Sequence, residues 1–107
     1  MAVCRAEDGA CDNEMRVQTL KVGEAKIAIS ITTTCQHVQS LAESLQELDI
    51  AAETKLPLHE TTVYALAAEH LCRDSCIVSA AILKAVEVAA GLFLPGESRI
   101  EFVEGAL

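Results

Sequence analysis

The densest chemical grouping in the chain is Glu69-His70-Leu71-Cys72-Arg73-Asp74-Ser75-Cys76, which places one imidazole and two thiols close together. Imidazole nitrogen and thiolate sulfur are the usual ligands of zinc. His70, Cys72 and Cys76 are therefore the candidate metal ligands, with zinc as the ion they suit, and the same thiols could serve redox chemistry. The spacing His-x-Cys-x3-Cys lacks the paired Cys-x2-Cys knuckle of strong zinc motifs, and a four-coordinate ion needs further donors. Cys35, His37, Cys4 or Cys11 complete such a site only where the fold brings them near. The plainer reading is that these thiols fill space, since free cysteine is among the most buried small residues. His70 lies on the apolar stripe of its helix, which suits a core or interface histidine. Arg73, beside Cys72, can lower a thiol pKa where it faces the sulfur.

Other chemistries find less support. His59-Glu60 followed by His70 is not a metalloprotease motif, because His-Glu-x-x-His would need histidine at position 63, which is Val63. On one helix His59 and His70 would stand about 16 Å apart at 1.5 Å per residue, too far to share an ion. No Gly-x-Ser-x-Gly elbow, phosphate-binding glycine loop or nucleotide fingerprint occurs, so no catalytic and no cofactor-binding residue is assigned. A small enzyme built on a buried carboxylate remains an alternative, since Asp and Glu total 16.

The length of 107 residues suits one domain, and 51% apolar with 22% charged residues describes a chain that folds. The net charge of −8 and the 3% aromatic content remove the basic patch and stacking platforms of a direct nucleic-acid binder. The same charge suits a basic protein partner, and also simple solubility. Met1 to Asp8 shows no charged n-region followed by an apolar stretch, so the expected compartment is the reducing cytoplasm. An odd cysteine number, five, agrees with free thiols.

These residues need elements to position them. Residues 1–14 carry four acidic groups and no apolar run beyond Met1-Ala2-Val3, which predicts a flexible acidic tail ahead of a single domain over 15–107. Arg16–Val22 and Lys26–Thr32 predict a β-hairpin, the second strand marked by Ile27, Ile29 and Ile31 at every second position. Gly23-Glu24 suits a two-residue type II′ turn. Thr33 and Gln36 have capping-box spacing ahead of Val38, Leu41, Leu45 and Leu48, an amphipathic helix. A short strand is expected within 49–55. Pro57 opens a second helix with Val63, Leu66, Ala67, His70 and Leu71 on one face. Asp74 or Ser75 can cap a third, Cys76–Leu94, whose only polar stripe is Lys84, Glu87 and Gly91. Lys84 and Glu87 in its middle argue against a membrane span. Arg99–Glu104 alternates again and predicts a last strand.

The expected fold is α+β, two-layer, with a small, mainly antiparallel sheet from the hairpin and C-terminal strand packed on three helices. A domain this small encloses an all-apolar helix with difficulty, so self-association is expected. The expected role is a non-enzymatic protein-binding module: a small acidic regulator, inhibitor or adaptor that forms a homo-oligomer, with neither nucleic acid nor membrane as partner. Val78, Ile82, Val86 and Phe102 are the candidate interface residues. The alternative is a metal-binding or thiol-redox protein using His70, Cys72 and Cys76.

Overall fold

The computed structural model describes residues 1–105. Four strands form one antiparallel sheet in the order β1-β2-β3-β4: β1 Ala2–Asp8, β2 Asn13–Lys21, β3 Lys26–Thr33 and β4 Glu47–Asp49. Four α-helices accompany it: α1 Gln36–Ser44, α2 Ile50–Thr54, α3 Thr62–His70 and α4 Val78–Ala89, with a 3-10 turn at Leu58–Glu60. The α+β class and antiparallel sheet match the sequence reading. Residues 106 and 107 of the expected 15–107 domain lie outside the described residues.

Side chains alternate across each strand, and one sheet face is covered. Met15, Val17 and Thr19 of β2, Ile27 and Ile29 of β3, Leu48 of β4 and Ala6 of β1 are all buried. α4 packs over β1 and β2, while α1 packs on β3 and α3 bridges α1 and α4. Val78, Ile82 and Val86 have no exposure at all. The apolar circumference of α4 is therefore satisfied within one chain.

That burial explains the main departure from the sequence reading. Residues 1–14 are not a tail: Ala2–Asp8 pairs along its full length with Asn13–Thr19. No large apolar residue marks this strand, because Ala2, Cys4 and Ala6, its residues facing the helix layer, are small. Small side chains on β1 let α4 approach the sheet closely, and the strand's order comes from β2 and α4 rather than from its own composition.

Smaller corrections follow from local chemistry. The β2–β3 connection spans Val22–Ala25 rather than two residues, closed by Val22 N–H donating to the Lys26 carbonyl at 2.9 Å, with Gly23 at φ +84°. α1 begins after Cys35 without a side-chain cap; Thr33 Oγ instead accepts from Cys35 N–H at 3.1 Å. The strand expected within 49–55 is not there: β4 ends at Asp49, whose carboxylate caps α2, and Ile50–Thr54 is helical. Pro57 opens only the 3-10 turn, and α3 starts after Thr61. Neither Asp74 nor Ser75 caps α4, which follows Ile77. α4 stops before Leu94 because Gly91, at φ +77°, turns the chain: Gly91 N–H donates to Val88 and Leu92 N–H to Glu87, a Schellman-type end. Arg99–Glu104 forms no strand and is exposed.

Two buried polar residues fasten the layers. Thr19 Oγ donates to the Ala85 carbonyl at 2.8 Å, joining β2 to α4. Glu53, 5% exposed, accepts from Thr62 N–H at 2.9 Å and Val63 N–H at 3.2 Å, supplying acceptors for the first turn of α3. We expect Glu53→Ala to lower the unfolding free energy by about 1–3 kcal/mol, the usual result of stranding buried donors. Urea denaturation followed by circular dichroism measures it; a change under about 0.3 kcal/mol would mean that water replaces the carboxylate.

Candidate functional site

The five cysteines are unpaired. Four of them, Cys11, Cys35, Cys72 and Cys76, line one cavity of about 20 Å³ at the end of the sheet. Three separate chain segments meet there: the β1–β2 turn, the start of α1 and the α3–α4 loop. Met15, Val38 and Leu71 supply its apolar wall, and Asp8, Asn13, His37 and Arg73 complete it.

Each segment is held by identifiable bonds. In the β1–β2 turn, the Asp8 carbonyl accepts from both Cys11 N–H and Asp12 N–H, and the Asp8 carboxylate accepts from Ala10 N–H. Asp12 adopts φ +55°, a conformation that aspartate tolerates better than most residues. Two threonines then tie this turn to the start of α1. Thr33 Oγ donates to the Glu14 carbonyl at 3.0 Å, and Thr34 Oγ donates to Asn13 Oδ1 at 2.9 Å. Cys11 and Cys35 thus occupy neighbouring, cross-linked loops although they lie far apart in sequence.

Cys72 and Cys76 arrive on the loop after α3, which ends where Leu71 N–H donates to Ala67. Cys72 is exposed; Cys11, Cys35 and Cys76 are half-buried. Burial pushes the Cys76 thiol above its ordinary range; the Val78 backbone opposes this by hydrogen bonding to the sulfur, and the charges of Cys35, Asp8 and Cys72 add to it. The neighbouring Cys72 side chain and the charge of Cys11 hold the Arg73 proton more firmly. The single cation lining the cavity is therefore beside its thiols.

His70 is elsewhere. Its Nδ1 lies 2.9 Å from Ser40 Oγ and its Nε2 3.5 Å from Ser44 Oγ, so the ring joins α3 to α1. It does not line the cavity with Cys72 and Cys76, and the proposed triad of His70, Cys72 and Cys76 is not assembled. His59 is exposed on the 3-10 turn. Among the described residues, no three His, Cys, Asp or Glu side chains stand in metal-holding geometry. Of the further donors that the sequence offered, Cys11, Cys35 and His37 line the cavity and Cys4 does not.

The other sequence candidates separate in the same way. Val78, Ile82 and Val86 belong to the core and offer no surface for an interface, whereas Phe102 is fully exposed. Apolar residues that are free cluster instead after α4, at Leu92, Phe93, Leu94, Ile100, Phe102 and Val103. Glu53 is the buried carboxylate, and both its oxygens face backbone N–H groups of α3 rather than a cleft. Among the described residues no helix is long and apolar enough to cross a membrane.

One family model, described as a family of unknown function (DUF6951), matches residues 3–102. No curated protein and no solved structure matches the chain.

The raised Cys76 pKa has a sign that can be checked. The folded chain holds that proton more tightly than the unfolded chain, so the resulting stabilisation is full below about pH 8.5 and is lost as pH rises through the folded pKa. Metal-free wild type is expected to lose more stability between about pH 8 and 10 than Cys76→Ala, in urea melts at matched salt. Equal pH slopes for the two proteins would refute the assignment.

Proposed function

The chain belongs to the DUF6951 family, and from the geometry above we propose that it is a thiolate metal-binding protein whose ligands are Cys11, Cys35, Cys72 and Cys76. The observation that carries this reading is that four cysteines from three segments line one cavity; among the described residues no three of them stand in metal-holding geometry, so capture must draw the loops inward to close the site. Cys35 and Cys76 also pack against the edge of the core, whereas Cys72 is exposed and fills no space there. Four sulfur donors are the ligand set of structural zinc and of other thiophilic metal centres.

The neighbouring residues suit that role. Four thiolates around a divalent ion leave two negative charges in excess, and Arg73 is placed to offset part of that. Cys76 is protonated at neutral pH because burial disfavours its thiolate. Metal capture must therefore displace its proton, and binding weakens as pH falls. Capture also draws in the α3–α4 loop, because Cys72 stands in solvent. A reducing compartment, the cytoplasm, keeps the thiols available for this role.

The reading is tested on protein purified under reducing conditions without chelator. Elemental analysis is expected to find about one zinc per chain, and Cys35→Ser with Cys76→Ser to remove it while circular dichroism keeps the strand and helix signals. Zinc at unchanged stoichiometry in that double variant, or no metal retained after incubation with zinc, would exclude the site. Iron with visible charge-transfer absorption would keep the four ligands and change the centre from one ion to a cluster.

A further inference from the structure

The segment after α4 is exposed although its sequence alternates as a strand does. Ile100 and Phe102 are 84% and 102% exposed, and Val103 is 78% exposed. Opposite in kind, β1 is an edge strand: one side pairs with β2 and the other carries no strand among the described residues. A free edge and a free alternating segment on the same chain are two halves of one pairing.

We propose that residues 99–104 of one copy pair antiparallel with the β1 edge of a second copy, forming a symmetric strand-exchanged dimer. The argument is the register. Val3, Arg5 and Glu7 point to the open sheet face, while Cys4 and Ala6 face the helix layer. An antiparallel alignment that sets Val3 opposite Val103 also sets Arg5 opposite Glu101 and Glu7 opposite Arg99. Every exposed-face pair is then apolar with apolar or opposite in charge. On the other face Phe102 falls beside Cys4 and Ile100 beside Ala6, so two large side chains lie next to two small ones along the flank of α4.

Other alignments lose this match. Sliding the segment by two residues puts Arg5 opposite either Arg99 or Val103. A parallel alignment that keeps Arg5 opposite Glu101 places Val3 against Arg99 and Glu7 against Val103.

The connection favours a second copy as the source. α4 passes the Ala2 end of β1, where Thr19, the register partner of Ala2, bonds to Ala85. The antiparallel register needs Arg99 at the opposite end, beside Glu7. A chain using its own edge would travel the length of β1 outward through residues 91–98 and then reverse. A segment extending from a neighbouring copy meets the edge directly, and the reciprocal contact closes a two-fold dimer. Among the described residues Arg99 pairs with Glu97 alone, at 3.6 Å with both side chains largely exposed, an arrangement easily exchanged.

The test uses the full chain under reducing conditions, which removes disulfide dimers. Sedimentation equilibrium is expected to give a species of twice the 11.4 kDa chain mass. Glu101→Arg, which places like charges opposite Arg5 twice per dimer, should weaken the dimer by about tenfold or more. Arg5→Glu combined with Glu101→Arg should restore it, a rescue that a merely structural defect would not show. A monomer at all concentrations overturns the proposal, as does a dimer indifferent to Glu101→Arg or not restored by the double variant. Amide protection over 99–104 in a monomer would assign the pairing to the chain's own edge and equally overturns it. None of these outcomes depends on metal content.

Discussion

Burying α4 is the constraint on which the rest of the structure depends. This helix is apolar around nearly its whole circumference, and a chain of 107 residues has little material to cover it. The solution is to set it close over β1 and β2, against a strand whose inner residues are Ala2, Cys4 and Ala6. Small residues there admit the helix backbone, and Thr19 fixes its height by bonding to Ala85. With α4 seated, β1 becomes part of the sheet, although its own composition would leave it unfolded. Its turn then delivers Cys11 to the end of the sheet where the α3–α4 loop begins. The same packing step therefore makes the core and gathers the thiols.

Parts of this were legible in the sequence because they depend on local period. Ile27, Ile29 and Ile31 announced β3, Val38 and Leu41 announced α1, and Val63 with Ala67 announced α3. What could not be read locally was pairing. β1 carries no β-branched or aromatic residue except Val3, so its strand character exists only beside β2. Arg99–Glu104 shows the converse: it has the alternation of a strand, yet alternation alone supplies no neighbour within the chain. Helix ends were legible only in part, since Gly91 signalled a stop that a long apolar run concealed.

The site divides in the same way. Cys72 and Cys76 were visible as a short-range pair, and the adjacent His70 was the nearest third donor of a set that still lacked a fourth. In three dimensions His70 turns to Ser40 and Ser44 on α1. Its two polar partners satisfy a ring that would otherwise be half-buried without them, and this helix-to-helix link orients the loop that follows. The actual neighbours of the thiols are Cys11 and Cys35, placed by Thr33 and Thr34 through bonds between loops that no sequence spacing encodes. Long-range topology thus replaced the nearest donor in sequence with more distant ones. It also spent the apolar surface of α4 internally, leaving the segment after α4 with the most exposed run of large apolar residues among the described residues.

The central claim is that the four cysteines act together on one thiophilic metal centre. X-ray absorption at the metal edge of the loaded protein tests it most directly, because it counts the donor atoms around the metal. Four sulfur neighbours at about 2.3 Å is the predicted result for zinc. A shell of nitrogen and oxygen only, or one with two sulfurs and imidazole, would contradict the account by placing the metal elsewhere or by returning His70 to the site.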